Sequence, residues 1–336
     1  MRLPHPTTTL AAATVAIAAL VAAPLTSPAS ASDDHSRSNH HHIAFSTDLA
    51  GIPSEQSLHI ARVHSAGAPG TLKYGTTRVT GTAVIDSAPY DIEMVAKLQY
   101  LDNNGPYSGF FTFTSGINTL ALTYNGNALQ AADGSASYVG VLQVISGTGI
   151  YANTKGNGTV LAFRPAGQPV GGAVHENLTL DLVAGSPPLP VANPTPKVGR
   201  ATAALDCDLA AVPAQQHYHA VTTTARTYGA GRLTCDSTFD GEPVSVEVEG
   251  LANNYKGQGP ASGFITIFAA DGSMISMAYS GNTVTQPANS TLTLGLKVIA
   301  ASGKWLGTEG RGAATATRVG AVGTPLHLAM TTALHD

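Results

Sequence analysis

The chain has 336 residues, carries a formal net charge of −4 and contains only 11% charged residues. It has no basic patch that would neutralise phosphates, so it does not fit a nucleic-acid-binding protein. A hydrophobic share of 43% excludes an intrinsically disordered chain, and low charge with abundant glycine is typical of an exported β protein.

Residues 1–31 have the features of a secretory signal peptide. Arg2 provides a positive start, an apolar run follows from Leu10 to Ala23, and Ala29–Ala31 forms a small-residue cleavage pattern. The apolar run is short for a membrane span. We therefore expect a secreted, extracellular protein with no membrane span after cleavage; a retained N-terminal anchor is the alternative.

A polar, histidine-rich arm follows the signal peptide over residues 32–42. It contains His35 and the tract His40-His41-His42. Such a tract can hold copper or zinc, but without a fixed scaffold we expect only weak, adventitious binding.

The rest of the chain contains one module twice. Gly105–Phe110 recurs as Gly259–Phe264, and Val144–Tyr151 recurs as Val298–Trp305, both at an offset of 154 positions (259 minus 105, 298 minus 144). A period this long indicates duplication of a whole domain, not a short solenoid repeat.

A proline-rich linker, residues 184–200, separates the two modules. Proline lacks an amide N–H and favours extended geometry, so this segment is expected to be a semi-rigid spacer. We place module one at residues 43–183 and module two at residues 201–336.

Alternating hydrophobicity predicts β-strands in both modules. Apolar side chains occupy every second position from Ile92 to Tyr100, and again from Val244 to Val248 in the matching segment. The same period of two covers Leu178–Leu182 and Leu326–Met330. Because no mature segment has a helical period, we predict an all-β fold of two tandem small closed antiparallel β-barrels; a sandwich is the alternative.

Module two contains both cysteines of the chain, Cys207 and Cys235. An even pair in an exported protein predicts a disulfide bridge, with a reactive thiol as the alternative. The bridge would contribute on the order of 3 kcal/mol in the chain-entropy model. Module one has no cysteine, so the bridge is not essential to the fold.

Several segments resemble the allene oxide cyclase and dirigent superfamily. Phe45–Pro53 is similar to the first strand of dirigent proteins, and Gly105–Gly109 is similar to their Gly-x-Tyr-x-Gly turn. Val144–Tyr151 resembles the glycine-rich segment that dirigent proteins share with allene oxide cyclases, and Val298–Gly312 repeats it. The resemblance implies a closed barrel with a central cavity that binds an apolar small molecule and, in some members, steers its cyclisation or coupling.

Two candidate catalytic pairs recur at an offset of 160 positions (208 minus 48, 219 minus 59): Asp48 with Asp208, and His59 with His219. The resemblance implies that the aspartates lie in the cavity, where a carboxyl group can act as a general acid or base; the alternative is a rim aspartate that caps the following turn. The histidines offer proton transfer. Alternatives for them are metal binding with His217 or a solvent-facing position.

Two further pairs are candidate ligand-binding residues. Arg164 matches Arg318, and a buried guanidinium can hold a carbonyl or carboxylate, although an arginine paired with an acid at the barrel rim is the alternative. Tyr124 matches Tyr279, and either phenol can point into a cavity or simply pack its ring.

Two carboxylate pairs, Asp91 with Glu93 and Glu247 with Glu249, alternate with the apolar strand positions. We therefore expect them on a solvated face and not as a glycosidase pair. No nucleophile elbow or His-Glu-x-x-His motif occurs, and Gly147–Gly149 lacks the helix and lysine of a phosphate-binding loop. The sequence therefore gives little support for a conventional hydrolase.

The sequence favours a secreted binding protein that holds a small apolar molecule in a barrel cavity, without cofactor or metal. A second interpretation is a cofactor-free isomerase or cyclase that orients its substrate, assisted by Asp48 or Asp208. A third is a non-catalytic extracellular structural module with barrels filled by side chains. The ligand and the oligomeric state stay open. If chemistry occurs, we expect one copy to carry it, because the copies differ at Tyr107 and Ala261.

Overall fold

The computed structural model describes residues 40–65, 68–194, 202–286, 289–320 and 324–335. Within these residues the fold is all-β, with two closed antiparallel barrels of eight strands each. This confirms the predicted fold class. No helix in the described ranges has the length and apolar character needed to span a bilayer. The expected signal peptide and residues 32–39 of the arm lie outside the described residues.

The first barrel is an up-and-down meander closed by pairing between its ends. Its strands are β1 (His40–Gly51), β2 (Ser57–Ser65), β3 (Ala68–Ile85), β4 (Ala88–Leu101), β5 (Gly105–Ser115), β6 (Asn118–Gln130), β7 (Ala136–Gly147), β8 (Thr154–Arg164) and β9 (Val174–Ala184). β1 pairs with both β3 and β9, so β1 together with β3–β9 forms the closed cylinder of eight strands. β2 follows a short 3-10 turn at Pro53–Glu55 and pairs with β3 alone.

The first barrel begins earlier than the module boundary that the sequence suggests. His40–His42 belong to β1, where His42 is the cross-strand partner of Asp181 on β9. Placing the whole histidine tract in a polar arm is therefore wrong, because these three residues continue the β1–β9 ladder.

The second barrel repeats this plan with a single long first strand. Its strands are β10 (Ala203–Val221), β11 (Arg226–Phe239), β12 (Glu242–Tyr255), β13 (Gln258–Ala269), β14 (Met274–Thr285), β15 (Asn289–Ser302), β16 (Glu309–Val319) and β17 (Leu326–His335). β10 pairs with β11 and β17, and a register shift between Ala211 and Gln216 lies where β1 and β2 are interrupted in the first barrel. Cys207 and Cys235 form a disulfide bridge between β10 and β11, as predicted.

The period-two pattern sends one side of every strand into a barrel interior. Phe111 and Leu122 are fully buried in the first barrel, and Ile265 and Leu328 are fully buried in the second. Each such side chain contributes about 1.5–3 kcal/mol relative to an exposed position. The interiors are therefore largely filled, and any site must lie where the packing stops.

The two barrels pack against each other as one compact unit. The Tyr74 hydroxyl of β3 lies 3.2 Å from Thr266 Oγ1 of the second barrel. In the reverse direction, the Tyr228 hydroxyl of β11 lies 3.0 Å from Thr112 Oγ1 of the first. Tyr228 is the repeat counterpart of Tyr74, and Thr266 is the counterpart of Thr112, each at the offset of 154 positions (228 minus 74, 266 minus 112). The interface therefore has the reciprocal pattern of a twofold dimer.

The described part of the linker lies against the second barrel. Residues 186–194 carry no regular secondary structure. The backbone N–H of Asn193 donates to Asn282 Oδ1 (2.7 Å), and Asn282 Nδ2 donates back to the Asn193 carbonyl (2.8 Å). These two bonds hold Asn193 against β14.

Candidate functional site

Asp48 and Asp208 lie on the outside of their barrels. Both side chains are 86% exposed, and each pairs through Oδ1 with a histidine of the neighbouring last strand, at 2.8 and 2.9 Å. Their implied position in a cavity is wrong. The residues on either side of Asp48, Thr47 and Leu49, are buried and take the inward phase of β1, so Asp48 must point outward.

The carboxyl group inside the first barrel is instead that of Glu176 on β9. Glu176 shares the inward phase with Leu178 and Leu180 and is only 2% exposed. Burial raises the pKa of Glu176 to about 8, so this side chain is a neutral carboxylic acid at neutral pH. A neutral acid can donate one hydrogen bond and accept others.

Glu176 borders a cavity that also contains Tyr107, Tyr138 and Arg164. Tyr107 Oη, Arg164 Nε and Glu176 Oε2 are buried and have no hydrogen-bond partner in the part of the chain that the structure describes. Native proteins leave few buried polar atoms unpaired. Three such atoms around one cavity therefore mark it as a place where a bound molecule can complete the hydrogen bonds.

The rest of the cavity wall is apolar. It is formed mainly by inward side chains of five strands: Val79, Met94, Ala96, Leu98, Phe111, Val160 and Val174. The empty space is about 510 Å³ when its opening toward solvent is included, and the centres of water molecules can occupy about 40 Å³ of it. The enclosed part has room for only a few water-sized groups, so a larger occupant must extend into the opening.

The loop at residues 165–173, between β8 and β9, lies over this cavity. Val170, Gly171 and Gly172 line it, and Arg164 donates from its guanidinium to the Gln168 carbonyl of the same loop. Gly171 has a φ of 76°, and a Cβ there would collide with the Gln56 side chain. The loop is thus held close to the cavity by the hydrogen bond from Arg164 and by the close approach of Gly171 to Gln56, which a larger residue would prevent.

Tyr124 packs within the first barrel and does not line its cavity. It is fully buried with its ring against Phe111 and Tyr107, and its hydroxyl donates to the Val95 carbonyl at 3.4 Å. Its ring fills space between neighbouring aromatic side chains, which is the packing alternative for this residue.

The second barrel lacks the carboxyl group. Arg318 and Tyr279 line its cavity; Arg318 thus matches Arg164, whereas Tyr279 differs from Tyr124. Arg318 Nε, Gln216 Oε1 and Asn254 Oδ1 are buried there without a hydrogen-bond partner among the described residues. However, Leu328 is the cross-strand partner of Cys207 in the way that Glu176 is the partner of Thr47, so Leu328 occupies the Glu176 position. The acid is thus specific to the first barrel.

His59 and His219 lie at the contact between the barrels. His59 Nε2 is 3.0 Å from Glu247 Oε1 of the second barrel, and His219 Nε2 hydrogen-bonds Glu93 of the first. Each histidine therefore pairs with a glutamate of the other barrel. A solvent-facing position is wrong for His59, whose side chain is 16% exposed.

The solvated face expected for the carboxylate pairs is correct for Asp91 but wrong for Glu93, Glu247 and Glu249. These three side chains are 15%, 5% and 1% exposed. These side chains do point out of their own barrels, as the alternation predicts, but the other barrel covers that part of the outer surface. The sequence of one module gives no signal for this contact. The alternation of apolar and polar residues shows which side chains point out of the barrel, but it does not show whether the outer surface is buried by another domain or exposed to solvent.

Two arginines complete the interface ion pairs. Arg78 bonds Glu93, and Arg232 bonds Glu247. Desolvation opposes ionisation of both acids, but hydrogen bonds from histidine and arginine outweigh it and lower the pKa of Glu93 and of Glu247 to about 2. Both carboxylates are ionised at neutral pH.

Glu249 breaks the symmetry, since its counterpart at an offset of 154 is Val95 (249 minus 95). Glu249 Oε2 accepts hydrogen bonds from the Thr76 N–H (3.1 Å) and the Thr76 hydroxyl (2.8 Å). Burial raises the pKa of Glu249 to about 7. Its Oε1 has no hydrogen-bond partner among the described residues and lies 3.8 Å from His59 Nε2.

A signal for Glu176 was present in the sequence. Glu176 falls on the same alternation as Leu178, Leu180 and Leu182, so an acid stands at an apolar position of a strand. A charged residue in the inward phase is a stronger indication of a site than a carboxylate that follows the polar phase.

No protein-family model, curated protein or solved structure matches the chain.

Proposed function

We propose that the first barrel binds a small, largely apolar molecule that carries a carbonyl or hydroxyl group. The observation that carries this proposal is the buried carboxyl group of Glu176, which the second barrel lacks, together with the unpaired polar atoms of Tyr107 and Arg164 around the same largely apolar cavity. Apolar walls with a few convergent polar groups are the usual composition of a ligand site. The ligand oxygen would lie at the polar groups and its apolar part along the wall.

The neutral Glu176 determines which ligand groups fit. A protonated carboxyl donates a hydrogen bond to a carbonyl oxygen, and the Arg164 Nε–H and the Tyr107 hydroxyl are further donors. This end of the cavity is therefore rich in donors and suits a hydrogen-bond acceptor such as a carbonyl oxygen. The resemblance to allene oxide cyclases and dirigent proteins supports the same kind of ligand, because members of that superfamily bind apolar molecules inside a barrel.

A catalytic version of the proposal has one specific support, the raised pKa of Glu176. An acid with a pKa near the working pH can donate a proton to an oxygen that gains charge during a rearrangement and then recover it. Cyclisation or isomerisation leaves the composition of the molecule unchanged, so it consumes no oxidant, reductant or second substrate. In this version Glu176 takes the role that the sequence analysis gave to Asp48 and Asp208.

Binding of two minimal probes, 2-cyclohexenone and 4-methylphenol, tests the proposal. We expect saturable binding to the wild-type chain by ligand-observed NMR and roughly tenfold weaker binding to Glu176→Leu, which loses one hydrogen bond to a buried donor. The matched control is Leu328→Met, a volume-conserving change at the same position of the second barrel. Equal binding to wild type and Glu176→Leu would contradict the site and leave the side-chain-filled structural module as the better account.

A further inference from the structure

Three side chains from both barrels bring possible metal ligands together at the interface. His59 comes from β2, and Glu247 and Glu249 come from β12; one ligand atom of each lies within 4.8 Å of the others. His59 Nε2 is 3.0 Å from Glu247 Oε1 and 3.8 Å from Glu249 Oε1. Two ligands bound at 2.0–2.1 Å around a tetrahedral ion are about 3.3 Å apart, a value between the two observed separations.

The outer contacts of the carboxylates leave one oxygen of each directed toward His59. Arg232 bonds Oε2 of Glu247, and Thr76 donates two hydrogen bonds to Oε2 of Glu249. Such contacts orient the ligands of protein metal sites. Here they fix both carboxylates with their Oε1 atoms facing the imidazole.

The unpaired oxygen of Glu249 is an independent indication of a ligand. The residue is 1% exposed, and its Oε1 lacks a hydrogen-bond partner within the described residues. A buried carboxylate oxygen without a donor or a cation is destabilising. A cation between Glu249 and His59 would remove this cost.

We propose that His59, Glu247 and Glu249 bind a divalent transition-metal ion, with Zn²⁺ as the preferred ion. One imidazole and two carboxylates suit Zn²⁺ in charge and donor type. The Ser57 hydroxyl, 2.7 Å from Glu247 Oε1, lies next to these three side chains and offers a fourth oxygen ligand for the ion. Because the ligands come from both barrels, the ion would cross-link them.

His59 is distant in sequence from Glu247 and Glu249, so the local sequence around His59 does not indicate a metal site. The two glutamates come from the other barrel, so only the fold brings the set together. The pseudo-symmetric position retains His219 and Glu93 but has Val95 in place of Glu249. The described residues therefore hold one such site per chain.

Zinc titration of the full, chelator-treated chain by isothermal calorimetry tests the proposal. We expect one site in the wild-type chain that weakens at least 100-fold in His59→Ala and in Glu249→Gln. The matched control, His219→Ala, removes the equivalent imidazole on the other side of the interface and is expected to keep the site. Weak binding to the histidine tract at residues 40–42 is common to all variants and cancels in the comparison.

Thermal unfolding keeps the test decisive if His59→Ala does not fold. Glu249→Gln keeps the side-chain shape, and Zn²⁺ is expected to raise the unfolding temperature of wild type and of His219→Ala but not of Glu249→Gln, since an ion that binds only the native state stabilises it. Equal zinc affinity in wild type and Glu249→Gln, or equal losses in His59→Ala and His219→Ala, would overturn the proposal.

Discussion

Glu176 makes the stability of the protein depend on pH in a direction opposite to that of most carboxylates. Its pKa is about 8 in the folded protein, above the ordinary value of 4.5, because it is buried. The protonated form of Glu176 therefore makes its full contribution to the free energy of unfolding below pH 4.5, and this contribution is lost as the pH rises toward 8. Replacing Glu176 with Gln removes the titration and keeps the shape.

The size of this change in the free energy of unfolding follows from the pH interval over which Glu176 is ionised in the unfolded chain but still protonated in the native protein. At about 1.4 kcal/mol per pH unit, the native state loses about 3 kcal/mol between pH 4.5 and pH 7 through this one group. Glu176→Gln is therefore expected to lose about 3 kcal/mol less than wild type over that interval.

Urea unfolding followed by circular dichroism at several pH values between 4.5 and 7.5 measures this difference. The matched control is Leu328→Met, which changes the same position in the second barrel and introduces no titratable group. Parallel stability profiles for wild type and Glu176→Gln would refute the reasoning, because they would show that Glu176 is not buried as an acid.

Three further outcomes are expected. Replacing both Cys207 and Cys235 with Ala should lower the free energy of unfolding by on the order of 3 kcal/mol in urea; an unchanged midpoint would contradict the bridge. Tyr74→Phe and Tyr228→Phe should each cost about 1 kcal/mol or more, because each removes a hydrogen bond to a threonine of the other barrel, and Tyr74 also loses its bond to Ser276; no cost in either variant would argue against the reciprocal interface. The pKa of Glu93 is lowered to about 2, since hydrogen bonds from histidine and arginine outweigh desolvation. The free energy of unfolding of Glu93→Gln should therefore be about 3 kcal/mol lower than that of wild type at neutral pH, and this difference should vanish as the pH falls from 4.5 toward 2. A difference that persists at pH 2 would count against the ion pair.

The sequence pattern predicts which side of each strand faces inward, and this is enough to reach the barrel fold. Alternation from Ile92 to Tyr100 gives the correct interior phase of β4. The same reasoning, applied to β9, would have found Glu176 among its inward leucines. It would also have excluded Asp48, which alternates with the buried Thr47 and Leu49.

The interface was beyond reach of the sequence because it depends on how one barrel covers the other. Glu247 and Glu249 follow the outward phase, and nothing in β12 itself indicates that the outer face is covered. The repeat contains an indirect clue, since Val95 is an apolar residue in the outward phase at the position that matches Glu249. An apolar residue there suggests a covered surface, but it does not identify the surface that covers it.

A crystal structure of the wild-type chain soaked with 2-cyclohexenone would show whether the first-barrel cavity is the binding site. We expect the ring inside the first barrel, with its carbonyl oxygen within hydrogen-bond distance of Glu176 and of Tyr107 or Arg164. A ring bound in the second barrel or only on the outer surface, with those three side chains still unpaired, would contradict it.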